Sequence, residues 1–268
     1  MAITLASLKR NSDGAKPPRI LIYGVQGVGK TGFGAGANNP AFILTEDGLG
    51  VTDCFHYPLA RSYQDVMEAV NSLATEAHDF KTAVVDSLDW FEPMVWAKVA
   101  QDAGKKNIEE IGYGKGYALA LDLWRDYLEG LNYLRNERNM TIIQTAHAEI
   151  KRFDSPETES YDKYFVKLHK GAAALVQEHS DCVFFANYEV TTKNSKVGFD
   201  KDKVRAIGQG QRFLHTSEKP AFHAKNRYDL PERIPLTRPS DQTWGILAQY
   251  IPAYQQLGPQ QEKETANG

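Results

Sequence analysis

The stretch RILIYGVQGVGKTGFG, Arg19 to Gly34, decides how the rest of the chain is read. RILIY is an uninterrupted apolar run of the kind that fills a buried strand. The residues after it, Gly24-Val25-Gln26-Gly27-Val28-Gly29-Lys30-Thr31, fit the pattern G-x-x-x-x-G-K-[ST]. So many glycines bury almost nothing and cost backbone entropy, but they let successive N–H groups curl inward around one anion. A helix following the loop adds its positive N-terminal end. In this pattern Lys30 reaches the β- and γ-phosphates and the Thr31 hydroxyl ligates Mg²⁺. The segment from Gly24 through Gly32 is therefore expected to bind ATP with Mg²⁺. A strand before the loop and a helix after it is the context the motif requires.

Bulk properties leave room for this and exclude several alternatives. With 268 residues the chain suffices for one large α/β domain, and 42% hydrophobic with 24% charged residues is ordinary globular composition. A net charge of −3 gives no global basic field, so any nucleic-acid surface must be local. The two cysteines, Cys54 and Cys182, lack C-x-x-C spacing and read as small hydrophobes in a reducing compartment. No run approaches the roughly 18 apolar residues of a membrane helix, and the start lacks the pattern of a signal peptide. The expectation is a cytoplasmic protein that makes no use of a membrane.

Along the chain, residues 1–18 read as an arm closed by KPP, residues 19–257 as the ATPase domain, and 258–268 as a polar, disordered tail. Core strands are expected at RILIYG, AFILTE (Ala41–Glu46), KTAVVD (Lys81–Asp86), MTIIQTAH (Met140–His147) and DCVFFANYEV (Asp181–Val190). Between them, Val66, Val70, Leu73 and Ala77 recur at helical spacing. A longer helix from about Tyr117 to Arg138 carries a stripe of Ala120, Trp124, Tyr127, Leu131 and Leu134. Continuous apolar strands alternating with helices predict an α/β fold, a mainly parallel sheet covered on both faces. A small C-terminal addition follows, with KVRAIG and RFLHT paired as a hairpin around QGQ and a helix begun by Ser240 or Asp241.

Three strand ends carry groups suited to hydrolysis. Asp86 closes AVVDS and is placed to share Mg²⁺ with Thr31; the competing role is a plain helix cap. Glu46 closes AFILTE, where a carboxylate would orient or deprotonate the attacking water; Asp47 is its competitor. IIQTAH offers Gln144, Thr145 and His147, and His147 at the tip suits contact with the γ-phosphate.

The order GVQGVGKT, AFILTED, AVVDS, long helix, TIIQTAH resembles the RecA-like P-loop ATPase core. GYGKGY (Gly112–Tyr117) and HAKNRYDLP (His223–Pro231) are more narrowly similar to phage-encoded RecA-like ATP-binding proteins, some of which anneal single strands in recombination. The resemblance covers about residues 19–236. It implies that Glu46 activates water. It also implies that Lys225 and Arg227 reach across a subunit interface to a neighbour's γ-phosphate, in a ring or filament with nucleotide between subunits. Where the family has an amide sensor, this chain has His147.

The resemblance further places two DNA-facing loops. Gly104–Gly116 holds Lys105, Lys106, Tyr113 and Lys115. Ile150–Gly171, read as a long loop without regular structure, holds Lys151, Arg152, Phe153, Lys163, Tyr164, Phe165, Lys167 and Lys170. Cations interleaved with aromatics suit single-stranded DNA, because phosphates pair with charge and any base stacks on a ring. The implied partners are single-stranded DNA, further copies of the chain, and a phage or host single-strand binding protein. Two other readings stay open: a P-loop phosphotransferase for a small molecule, for which no arginine-rich lid stands out, and a nucleotide-gated interaction module with little turnover.

Overall fold

The computed structural model describes residues 4–8, 15–189, 191–196, 202–207 and 210–255. The tail at 258–268 and part of the arm lie outside the described residues. The main elements, in chain order, are β1 (Arg19–Gly24), α1 (Lys30–Ala35), β2 (Pro40–Leu44), β3 (Phe55–His56), α2 (Tyr63–Thr75), β4 (Thr82–Asp86) and α3 (Leu88–Asp102). They continue with α4 (Lys115–Glu137), β5 (Thr141–Phe153), β6 (Tyr161–Val166), α5 (Lys170–His179), β7 (Cys182–Tyr188), β8 (Thr191–Lys196) and β9 (Asp202–Ile207). The last are β10 (Arg212–His215), β11 (Arg233–Pro235), α6 (Asp241–Tyr250) and α7 (Pro252–Gln255).

The sheet runs β11-β10-β7-β1-β5-β4-β2-β3, with β6 added to β5. From β7 to β3 every pairing is parallel, while β10 and β11 extend the edge antiparallel. The expected α/β class is what the structure has. Strand residues alternate between two cores: Leu21, Tyr23, Ala83 and Val85 pack under α2, α3, α4 and α5, while Ile20, Ile22 and Val84 pack with Phe33 of α1 and Leu247 of α6. Burial on both faces explains why these strands read as continuous apolar runs. The stripe read on the long helix, from Ala120 to Leu134, is buried throughout. A capping box starts α2, where the Ser62 hydroxyl accepts from the Asp65 N–H and the Asp65 carboxylate accepts from the Ser62 N–H. Among the described residues no helix is long and apolar enough to cross a membrane.

Two local expectations are corrected. RFLHT does not pair with KVRAIG: β9 pairs with β8 in a separate two-stranded sheet, and β10 joins β7. Leu214 of β10 is fully buried there, so the core edge offers it apolar cover. The segment read as a long loop is a β-hairpin, in which β5 runs on past His147 to Phe153 and β6 returns antiparallel to it.

Candidate ATP site

The loop Gly24–Thr31 joins β1 to α1 at the carboxyl ends of the parallel strands. Its glycines are there for two different reasons. Gly27 and Gly29 take φ of 73° and 110°, backbone that side chains rarely adopt. At Gly24, a Cβ would lie 2.1 Å from the carbonyl oxygen of Ala186 on β7. Neighbouring side chains fix the loop's outer carbonyls. The Tyr188 hydroxyl donates to Gly27 O at 2.9 Å and Arg212 Nη1 donates to Val28 O at 3.2 Å. Behind α1, the Ser240 hydroxyl donates to Gly32 O and the Trp244 indole to Phe33 O, and Trp244 stacks on Phe33. The C-terminal addition thus braces the helix that follows the loop.

The chemistry-bearing groups converge on this loop. Lys30 is buried, and its ammonium donates to Gly24 O and Val25 O at 3.3 and 3.2 Å. Burial pulls its pKa below the usual lysine value. The Thr31 hydroxyl donates to Asp86 Oδ2 at 2.7 Å, and the Thr145 hydroxyl donates to Asp86 Oδ1. Thr45 ties the ends of β2 and β4 together: its hydroxyl donates to Ser87 O at 2.6 Å and accepts from Ser87 N–H at 2.8 Å. That lock sets Glu46 at the rim of the site. Burial, with Asp86 nearby, raises the Glu46 carboxyl above its ordinary range.

His147 is held by Asp89 from the first turn of α3. Its backbone N–H donates to Asp89 Oδ1 at 3.0 Å, and its ring Nδ1 lies 3.0 Å from Oδ2. Burial pushes the Asp89 carboxyl upward, but the His147 hydrogen bonds outweigh it and hold the group below its usual range. Among the described residues the ring's other nitrogen makes no hydrogen bond. Lys167 Nζ also reaches Asp89, at 3.8 Å. Gln144 takes no part: one residue from Thr145 on the strand, it points the other way, fully buried, accepting from the Tyr127 hydroxyl at 3.0 Å.

Gly29, Lys30, Thr31, Glu46, Asp86 and His147 line one cavity of about 620 Å³, within the usual size for a small-molecule site. Among the described residues no group of three acidic, histidine or cysteine side chains is placed to cage a metal. Mg²⁺ does not require one. It keeps several waters and takes one or two protein oxygens with the substrate's phosphates, and the paired oxygens of Thr31 and Asp86 fit that demand. Asp89, Arg212 and Arg238 were not legible as site residues. Asp89 carries a faint signal, three residues past Asp86 in the first turn of α3; the arginines arrive from distant sequence.

The other anticipated residues divide by location. Lys225 and Arg227 sit at the opposite end of the sheet from the loop. Lys225 N–H and C=O pair with Val183, and its ammonium donates to the carbonyls of Gln177, Glu178 and Ser180 at the end of α5. Arg227 Nη1 binds Asp181 at 3.2 Å and is half exposed. Lys105, Lys106, Tyr113 and Lys115 are all exposed, around a 3-10 turn at Ile108–Ile111. On the β5–β6 hairpin, cross-strand register puts Lys151, Phe153, Tyr161, Lys163 and Phe165 on one face. Lys163 Nζ lies 5.4 Å above the Phe153 ring but is engaged by Glu218 at 2.8 Å. Tyr164 lies on the other face, packed against Phe185 with ring centroids 4.8 Å apart. A tyrosine held by the core is not free to stack on a base, which removes Tyr164 from the expected set. Arg152, Lys167 and Lys170 are exposed.

No curated protein matches the sequence. Among solved structures, the crystal structure of the RadB recombinase aligns over 85% of this chain and 91% of its own, with 13% identity and a TM-score of 0.45. The sequence matches the AAA domain family over residues 16–228, the loop, both acidic strand ends and His147 included. The chain belongs to the AAA domain family.

Proposed function

We propose that the protein is an ATPase that binds ATP·Mg²⁺ in the cavity at Gly24–Thr31 and acts as a RecA-like oligomer on single-stranded DNA in recombination. The observation that carries the hydrolytic part is the joining of Thr31, Asp86 and Thr145 in one hydrogen-bonded unit, with Glu46 and the His147–Asp89 pair on the same rim. Loop amides and Lys30 take the β- and γ-phosphates, and Thr31 with Asp86 hold Mg²⁺. The metal, when bound, neutralises charge on the phosphate oxygens. A water attacks the γ-phosphorus as its proton passes to Glu46, and the bond to the bridging oxygen breaks, leaving ADP and phosphate. A carboxyl shifted upward by burial is a better proton acceptor near neutral pH than an ordinary one. His147, anchored by Asp89 through Nδ1, contacts the γ-phosphate.

The DNA part rests on the exposed Lys105, Lys106, Tyr113 and Lys115 and on the hairpin face carrying Lys151 with the half-buried Phe153, Tyr161 and Phe165. The shared-site part rests on Arg227, half exposed and held to Asp181 by one nitrogen at 3.2 Å, because Lys225 is spent on three carbonyls of its own chain. The test is the ATPase rate with and without single-stranded DNA, over a range of protein concentration. Lys30→Ala should abolish ATP binding, and Glu46→Gln should bind ATP but not turn it over. A rate indifferent to DNA and to concentration would leave a solitary ATPase; wild-type turnover in Lys30→Ala would remove the ATPase reading.

A further inference from the structure

Arg212 opens β10, and Arg238 lies between β11 and α6. The Leu236 N–H donates to Arg212 O at 2.8 Å, which fixes the chain two residues before Arg238. Both guanidinium groups close on Gly29. A Cβ built there would lie 2.9 Å from Arg212 Nη1, and 3.7 and 3.8 Å from Arg238 Nε and Nη2. Arg212 also anchors Val28 O, and Arg238 lines the same cavity as Lys30 and Thr31. Among the described residues no carboxylate forms an ion pair with either. Burial, and then the neighbouring Arg238 charge, lower the Arg212 pKa, the mark of two cations held together without a counter-charge. Elsewhere the chain neutralises its inward arginines: Arg19 and Arg135 both meet Asp181.

A planar fork of N–H donors matches phosphate oxygens, and two such forks flank the glycine that precedes Lys30, the half-buried Arg212 against the loop and the exposed Arg238 at the cavity's rim. We infer that Arg212 and Arg238 form a guanidinium clamp for the nucleotide's polyphosphate, supplied by the same chain that supplies the loop. This rests on the ATP reading above. It makes phosphate binding complete within one subunit, so that affinity does not depend on assembly even where turnover does. Arg238 touches the ligand; Arg212 holds the loop carbonyl and adds its charge.

The test is calorimetric titration of the full chain, at a concentration where it is monomeric, with ATP, ADP, AMP and inorganic tripolyphosphate. Arg238→Ala should bind ATP and tripolyphosphate roughly tenfold or more weakly, the usual loss for a charge-assisted contact, with AMP within about twofold. Arg238→Lys, which keeps charge but not the fork, should recover part of the loss. Arg212→Ala should show the same ligand pattern, and its melting curve reports whether the loop survives. ATP affinity unchanged in Arg238→Ala overturns the clamp, as does an equal loss for AMP, which would make Arg238 a platform for the base. Lys30→Ala separates the two layers. If it loses ATP while Arg238→Ala does not, only the clamp falls; if neither variant changes ATP affinity, the ATP site falls with it.

Discussion

Gly24→Ala tests whether the loop is seated by the sheet or merely follows it. Gly24 pairs with Ala186 in the parallel register of β1 and β7, and the added methyl carbon would lie 2.1 Å from that residue's carbonyl oxygen and 2.9 Å from its carbonyl carbon. A carbon–oxygen contact sits at roughly 3.3 Å, so the strands would have to part by more than an ångström. Strand spacing is set by ladder hydrogen bonds at about 4.8 Å, and no flexible side chain is available to yield. The cost should reach the upper end for overpacking, about 3 kcal/mol or more, which for a domain of this size is roughly 6–12 °C of melting temperature. ATP affinity should fall with it, because the displaced pair sits where the loop begins. Gly32→Ala is the matched control. It lies inside α1 with nothing within 4 Å of the new methyl, so it should leave stability unchanged or raise it by about 0.4–1 kcal/mol. Thermal melts and ATP titration of the two variants decide the matter. A Gly24→Ala protein that melts and binds as wild type would refute the argument that Ala186 dictates glycine there.

Glu92 supplies a pH prediction. It is buried in α3, accepts from the His169 N–H on both oxygens, and burial raises its pKa to about 7. A carboxyl raised on folding stabilises fully below its unfolded value and loses that contribution as pH rises through the folded one. Wild type should therefore lose about 2.5 kcal/mol more unfolding free energy between pH 5 and pH 8 than Glu92→Gln does; parallel curves in urea titrations would refute it. Thr145→Val removes one hydroxyl from buried Asp86 and should cost about 1.5–3 kcal/mol in chemical denaturation, with slower ATP turnover. For single-stranded DNA, Phe153→Ala with Phe165→Ala should lose about 1–3 kcal/mol of binding per stack. Tyr164→Ala should instead lower the melting temperature with DNA affinity kept, because its ring packs on Phe185; the reverse pattern in binding assays would exchange the hairpin's faces.

What could be read from sequence was the part that is local. The loop motif, the buried strands and the acids at Asp86 and Glu46 each announce themselves within a few residues of context. The helix α3 did not: Leu88, Phe91, Val95 and Val99 make its buried face, but Pro93 and a near-even spread of apolar residues blur the period. The β5–β6 hairpin was hidden because β5 changes character at His147, from continuous apolar burial to a mixed, half-exposed ladder. Asp89, Arg212 and Arg238 were missed because pairing is made by topology. Arg212 and Arg238 meet Gly29 only because β10 folds back on β7 and β11 on β10. No window of sequence around Gly29 contains that fact.

β5 has a mechanical consequence beyond pairing. Thr145 and His147 at its centre touch Asp86 and Asp89 beside the loop, and its far end at Phe153 carries the hairpin's aromatic face, all within one unbroken strand. At about 3.3 Å per residue, those points are roughly 20–26 Å apart on a single beam. A strand has no soft joint along its length, and a slip of one residue would turn every side chain to the wrong face. Held between β1 and β4 up to Gln144 and His147, β5 is fixed like the built-in end of a diving board. Its outer span is not loose either, because Tyr164 of β6 packs on Phe185 and Lys163 meets Glu218, so one backbone sets the distance from His147 to Phe153.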